Sequence, residues 1–276
     1  MAAKSGVANR KMVASCALRV ARDIIGSMGS DARDSQLATR NFRLGIIGGG
    51  RAAWAFGSTW RRIGWPIAGV LTRSPSPIAS LLGAPSGIGD ADLLLLAVSD
   101  RALHEVEIPQ TRAVVFHCSG VHPSMHGGFS LHPLKALPPV GEPSDLRDTL
   151  LVFEGQHREV AREIARAAGA RFAEISAEMK TRYHAGAVFG SNYIAALLDI
   201  AQQLIALPGA RDDIAALARS AIDNWQAHDD ARRFTGPAAR GDAEVMQRHA
   251  EALAEWPELA EIYRLLAARI VAGSKC

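Results

Sequence analysis

Cysteine is scarce in this sequence. Its three, Cys16, Cys118 and Cys276, stand far apart. There is no C-x-x-C pair and no even set from which a disulfide framework is built, so a reducing, cytoplasmic compartment is the expectation. Clean apolar runs long enough for a bilayer are also missing. The strongest, 188–207, is interrupted by Ser191, Asn192, Asp199, Gln202 and Gln203. A membrane helix of about 20 residues does not carry that polar load, so a buried core helix is expected there. Charge is nearly balanced: 31 Lys and Arg against 28 Asp and Glu leave a formal +3. The basic residues form no stripe in the folded part, which argues against nucleic acid as a partner. What is abundant is apolar surface. With 48% hydrophobic and 21% charged residues, wholesale disorder is excluded, and 276 residues suit one large domain or two ordinary ones.

Residues 1–41 differ in kind from the rest. Arg10, Lys11, Arg19, Arg22, Arg33 and Arg40 stand among small residues and scattered serines, with few acids. The expectation is a disordered or weakly structured N-terminal extension, or a start read too far upstream. An organellar transit peptide has the same composition and stays open as an alternative. Met12–Ile25 fits a short amphipathic helix. No chemistry is assigned to this segment.

From residue 42 the pattern becomes regular. Phe42–Ile47 reads as a short buried strand running directly into Gly48-Gly49-Gly50-Arg51-Ala52-Ala53, then a helix through Trp54, Ala55 and Phe56. The string is G-x-G-x-x-A in its required context. Gly48 permits the tight turn, Gly50 lets backbone approach a pyrophosphate, and Ala53 lets the helix pack close to the sheet. The free N–H groups and partial positive charge of the helix start, at Arg51 and Ala52, suit phosphate. A second strand, Ile67–Thr72, ends about 20 residues beyond the glycines, where an acid usually meets the ribose of NAD. Here Thr72-Arg73-Ser74 stands instead. Arg73 offers charge-assisted bonds to a 2′-phosphate and Ser74 another donor, so NADP(H) is expected over NAD(H).

Asp92-Leu-Leu-Leu-Leu-Ala-Val-Ser99 is the clearest buried parallel strand, and Ala97, Val98 and Ser99 at its end are expected beside the cofactor. Ala113–His117, Leu150–Phe153 and Arg171–Ile175 read as further strands, with a helix over 159–168. Only about 19 residues separate Thr72 from Asp92, too few for a full crossover with its own strand, so the intervening strand is expected to be vestigial. The fold class is α/β: a Rossmann-type, doubly wound, mostly parallel sheet over 42–176, followed by an all-α domain over 177–276.

Six motifs now stand in order: Gly45–Arg51, Leu95–Asp100, His117–Gly120, Ser130–Lys135, Lys180–Asn192 and Thr235–Asp242. Together they resemble the bacterial family that pairs a Rossmann-like domain with a domain of unknown function numbered 2520. The layout is similar to pyrroline-5-carboxylate reductase and the wider 6-phosphogluconate-dehydrogenase-like group. The resemblance covers roughly 42–270. It implies an NADP-type fold with a helical C-terminal domain, a homodimer, and a loop at Ser119 and His132 that borders cofactor and substrate. It names no substrate.

Candidate chemistry falls in two places. His117, His122, His126 and His132, with Cys118, crowd sixteen residues, which suggests zinc. Pro123, Gly127, Gly128 and Pro133 prevent a shared helical face, so no metal is assigned. His132, expected on a loop at the carboxyl edge of the sheet, is instead a candidate proton donor or substrate contact, or a structural histidine bonded to a carbonyl. Lys180 and His184 are four apart on an expected helix over 178–207 and share a face. Asn192 falls roughly 80° further round. This resembles the Lys-x-x-x-Asn arrangement of hydroxyacid dehydrogenases with His184 in place of Asn. Lys180 reads as a proton donor to a carbonyl or imine, with a solvated surface lysine as the plain alternative. Arg240 is placed to bind an anionic substrate group or to pin its own loop to an acid, and Asp242 to cap the next helix.

The leading expectation is an NADP(H)-dependent oxidoreductase acting on a small carbonyl, hydroxy or imino compound at a cleft between the two domains. A non-catalytic dinucleotide-binding sensor or scaffold is the runner-up. A metal-dependent hydrolase using the histidine segment is the third.

Overall fold

The computed structural model describes residues 41–274. The extension read over 1–41 lies, but for its last residue, outside them. The chain divides into two compact units, one ending at Tyr183 and one beginning at His184.

The first unit is built on seven strands in the order β2-β1-β3-β4-β5-β6-β7. They are β1 Leu44–Ile47, β2 Ile67–Leu71, β3 Leu93–Leu96, β4 Val114–His117, β5 Phe129–Pro133, β6 Leu150–Gly155 and β7 Arg171–Glu174. All neighbours pair in parallel except β5 with β6. The sheet is of Rossmann type, as the alternation of buried strands and amphipathic helices implies. The strand expected to be missing after β2 is reduced to one bridge, Val70 to Ser86, behind the short α2, Ile78–Leu82.

The apolar strands are continuous because both faces are covered. Leu44, Ile46, Leu93, Leu95 and Phe116 face a core shared with Phe56 and Trp60 of α1, Arg51–Arg62, and Ile164 of α3, Arg158–Ala168. Ile47, Leu94, Leu96 and Val115 face a smaller cluster with Leu103 and Ile88. Register then sets the chemistry. One row across the sheet runs Ile46, Leu95, Phe116, Phe129 and stays apolar. The next runs Ile47, Leu96, His117, Ser130, Glu154 on the opposite face, apolar at β1 and β3 but polar from β4 onward.

Segment 130–133 is therefore a strand and not the loop the sequence reading expected. Phe129 and Leu131 alternate into the main core while Ser130 and His132 face the other way. Pro133 is tolerated because it ends the strand.

Among the described residues the second unit holds helices and no strand. Helix α4, Lys180–Phe189, crosses the unit boundary. It is followed by α5 Asn192–Ile205, α6 Arg211–Ala227, α7 Pro237–Arg240, α8 Ala243–Ala252 and α9 Pro257–Ser274. The expected single helix over 178–207 is broken at Gly190–Ser191, where Ser191 adopts φ −137, ψ −80. It is not a buried core helix either: Tyr193, Leu197, Leu204 and Ile205 are exposed. Gly273 does not end α9. It lies inside the helix, and a Cβ there would meet the Phe234 ring at 2.6 Å, so close packing explains the glycine. No helix among the described residues is long and apolar enough to cross a membrane.

Candidate dinucleotide cleft and a buried lysine

The chain leaves β1 for β2 at one flank of that strand and returns to β3 at its other flank. Their carboxyl ends therefore splay around β1, the place where open α/β sheets bind ligands. A cleft of about 820 Å³ opens there. Gly48, Gly49, Gly50, Thr72, Arg73, Ser74, Ala97, Val98 and Ser99 line it, as do Ser76, Glu105 and Glu107. Among the described residues Arg73 is the only basic one in that lining.

The glycines differ in what they do. Gly48 sits at φ +123, and a Cβ would lie 2.2 Å from the Ala97 carbonyl oxygen. Gly48 thus lets β1 turn against β3. Gly50, at φ −94, ψ −170, needs no special backbone, and a Cβ there would meet nothing within 4 Å. The space in front of Gly50 is open, and it lies at the start of α1, whose first turn holds no acidic side chain. The first N–H groups of that helix have no intrahelical partner. Ala53 is fully buried and brings the helix close to the sheet. Ala52 packs partly buried beside it, and the exposed Arg51 reaches the Leu137 carbonyl at 3.4 Å. A cradle of this form, with aligned donors and no side chain in front, fits a diphosphate.

Further along the carboxyl edge lies a second cluster. Lys180 is 1% exposed, which removes the surface-lysine reading. Its Nζ donates to the Ser119 carbonyl at 3.0 Å and to Ser130 Oγ. One helical turn on, the Tyr183 hydroxyl is 2.7 Å from His132 Nδ1. The two contacts are rungs of one ladder. Positions i and i+2 of β5 share a face of the sheet, and positions i and i+3 of α4 share a face of the helix. Burial pulls Lys180 down to about 8 from the ordinary lysine range, against the opposing pull of the Glu154 and Asp100 carboxylates. Burial likewise pushes the Tyr183 phenol up to about 12, so it stays protonated.

The histidines do not converge. The Ser119 N–H donates to His117 Nδ1 at 3.2 Å, so Nε2 carries the hydrogen and donates to the Pro123 carbonyl at 3.0 Å. Burial lowers His117 to about 4, which keeps it neutral. His122 meets His104 at 3.4 Å, and His126 is exposed. Burial pushes the Cys118 thiol up to about 12, an inert thiol. Among the described residues no three potential ligands gather.

The structure thus brings Lys180, Ser119 and the strand that carries His132 to one edge. His184, Asn192 and Arg240 belong to the other unit. The helix break invalidates the continuous-helix angle assigned to Asn192, whose Oδ1 accepts from Ser191 Oγ at 2.9 Å. Arg240 pairs with Asp242 at 2.7 Å, the loop-pinning reading, and Asp242 makes no side-chain cap. Sequence reasoning missed Ser130, Tyr183 and Glu154. The alternation Phe-Ser-Leu-His over 129–132 was the available signal for the first.

Residues 150–270 match the family model described as Domain of unknown function (DUF2520), which bears out the resemblance over that stretch. Among solved structures, a Bacteroides fragilis protein assigned as an NADP oxidoreductase is similar at TM-score 0.71. It is 22% identical and covers 84% of this chain and 98% of its own. A Thermotoga maritima protein, TM1727, is similar at TM-score 0.63 with 22% identity and the same coverage, 84% and 98%. A reductive aminase from Aspergillus terreus, in complex with NADPH and ethyl levulinate, is similar at TM-score 0.51. Its identity is 13%, over 77% of this chain and 78% of that one. These likenesses establish the fold. No curated protein matches the sequence at a significant level.

Proposed function

We propose that this protein is an NADP(H)-dependent oxidoreductase that moves a hydride to or from a small carbonyl, hydroxy or imino substrate. The observation that carries the reading is the open space in front of Gly50 at the start of α1, continuous with a cleft that has Arg73 and Ser74 at its rim. Of the proteins of this fold, the Aspergillus terreus reductive aminase holds NADPH. Gly48 to Ala53 hold the diphosphate, Thr72, Arg73 and Ser74 the 2′-phosphate, and Ala97 to Ser99 line the cofactor. A nicotinamide dinucleotide bound there supplies or accepts the hydride.

The protein's own contribution is the proton. Two of the three ammonium hydrogens of Lys180 are used by Ser119 and Ser130, and the third is assigned to the substrate oxygen or nitrogen. In reduction Lys180 gives up that proton and becomes an amine; in oxidation it takes one back. A positive charge at this spot favours a neutral carbonyl over a cationic iminium. With Lys180 titrating at about 8, reduction is expected to slow as pH rises through that value and oxidation to quicken. His132 and Ser119 border the substrate, and His184 and Asn192 remain candidates for its binding.

Lys180→Met is expected to cut turnover by about 10²–10⁴-fold, the usual worth of a positioned acid, and to leave the NADPH dissociation constant nearly unchanged. Stopped turnover with retained binding is read by steady-state kinetics over a panel of keto, hydroxy and imino acids, and by calorimetry. The deep burial of Lys180 favours one other reading, a dinucleotide-binding sensor in which the lysine only ties α4 to the sheet. Wild-type protein that binds NADPH and turns over nothing on that panel supports it.

We also propose a homodimer. Phe189, Leu207, Leu217 and Trp225 of the helical unit are each about two-thirds exposed, apolar side chains that a second copy would cover. Light scattering is expected to give twice the 29.4 kDa chain mass. A monomer at micromolar concentration contradicts it.

A further inference from the structure

Lys180 must be satisfied twice if it exchanges protons. As an ammonium it has three hydrogens to donate. As an amine it has two, and a lone pair that needs a donor. In a buried position either shortfall is expensive, because water is not there to fill it. The Ser119 carbonyl accepts and cannot donate, so it serves the N–H bonds of both forms but not the lone pair. Glu154 on β6 accepts from the Ser124 N–H and from Ser124 Oγ, so it has partners of its own. Asp100 and Glu154 act on Lys180 through charge, and His117 and the Cys118 thiol stay neutral beside it. That leaves Ser130. Its Oγ is fully buried, hydrogen-bonded to Lys180 Nζ, and belongs to a group that both donates and accepts.

We propose that Ser130 is a positioning residue that holds Lys180 in both of its charge states. The oxygen accepts from the ammonium. When the proton leaves, the hydroxyl turns about its C–O bond and donates to the amine lone pair, so Nζ keeps its place. No bond between heavy atoms forms or breaks. The register row explains why a serine stands here: position 130 lies between His117 and Glu154 on the polar half of that row, where an aliphatic side chain would offer the amine nothing. The proposal deepens the role given to Lys180 above and rests on it for its place in catalysis, but the switch itself is a property of the ligand-free protein.

The test is a pH titration of the Lys180 side chain by ¹³Cε NMR, with Lys180→Arg used for assignment, in the wild type, Ser130→Ala and Ser130→Thr. A buried ammonium loses more from a missing acceptor than an amine loses from a missing donor. Ser130→Ala is therefore expected to move the Lys180 midpoint about one pH unit lower, about tenfold in the protonation equilibrium. Ser130→Thr, which keeps the hydroxyl, is expected to titrate like the wild type. Should the extra methyl of threonine disturb the fold by circular dichroism, Ser130→Cys replaces it and is expected to fall between the other two. An alanine variant that titrates with the wild type overturns the proposal. NADPH binding, measured on the same samples, reports on the wider reading separately: lost binding with a shifted midpoint sinks the oxidoreductase and keeps the switch.

Discussion

Gly50→Val is expected to fold and melt like the wild type and to bind NADPH at least about 100-fold more weakly. At about 1.4 kcal/mol per tenfold, that is a loss near 3 kcal/mol. The stability half of the expectation comes from the backbone. Gly50 occupies an extended conformation open to any residue, and the added side chain enters empty space. Removing glycine's freedom in the unfolded chain offsets the poorer helix start that valine makes at this N-cap position. The binding half comes from the same empty space, which the diphosphate must occupy to reach the helix N–H groups. Gly48→Ala is the contrasting variant. Its Cβ would lie 2.2 Å from a carbonyl oxygen at a backbone φ of +123, so it is expected to lose on the order of 3 kcal/mol of stability. Thermal melts and calorimetry on the two variants separate folding from recognition: one glycine is needed to build the corner, the other to leave it open.

Arg73→Ala is expected to weaken NADPH by about 1.5–3 kcal/mol, the range for a charge-assisted bond, and to change NADH little. Arg73 is exposed just beyond the end of β2 and is, among the described residues, the sole cation lining the cleft. Glu105 and Glu107 line it as well, so without Arg73 the charged side chains described in the lining are negative, and only hydroxyls such as those of Thr72 and Ser74 are left to meet a phosphate. Equal weakening of both cofactors would instead place Arg73 on the diphosphate. Raising salt is expected to narrow the difference between NADPH and NADH, because the contact is exposed to solvent.

The parts of this protein that were legible in its sequence are those decided locally. Strands β1, β3 and β4 announce themselves as apolar runs because both faces of the sheet are covered. The glycine corner is legible because a turn, a close approach and a helix start each demand a small residue at a fixed offset. The lost strand after β2 followed from chain length alone. Strand β5 was hidden by its setting: Gly127, Gly128 and Pro133 read as punctuation, and the histidines drew attention to metal. Its alternation is only four residues long, and it lies between a parallel and an antiparallel neighbour that the sequence does not name. The apolar run over 188–207 misled in the opposite direction. Its composition suits a buried helix, yet Gly190 and Ser191 end one helix and begin another, and none of the apolar side chains is fully buried. The contact between Lys180 and Ser130 spans fifty residues and depends on sheet register. Period arguments place each residue on a face but do not say which faces meet.

The account depends most on the glycine corner receiving a dinucleotide. Isothermal titration of NADPH into the wild-type chain and into Gly50→Val addresses it without any knowledge of the substrate. The expected result is a saturable isotherm with a dissociation constant in the micromolar range for the wild type, weaker for NADH, and no measurable heat for the folded valine variant. Wild-type protein that takes up no NADPH at millimolar concentration, or a valine variant that binds it as well as the wild type, contradicts the account.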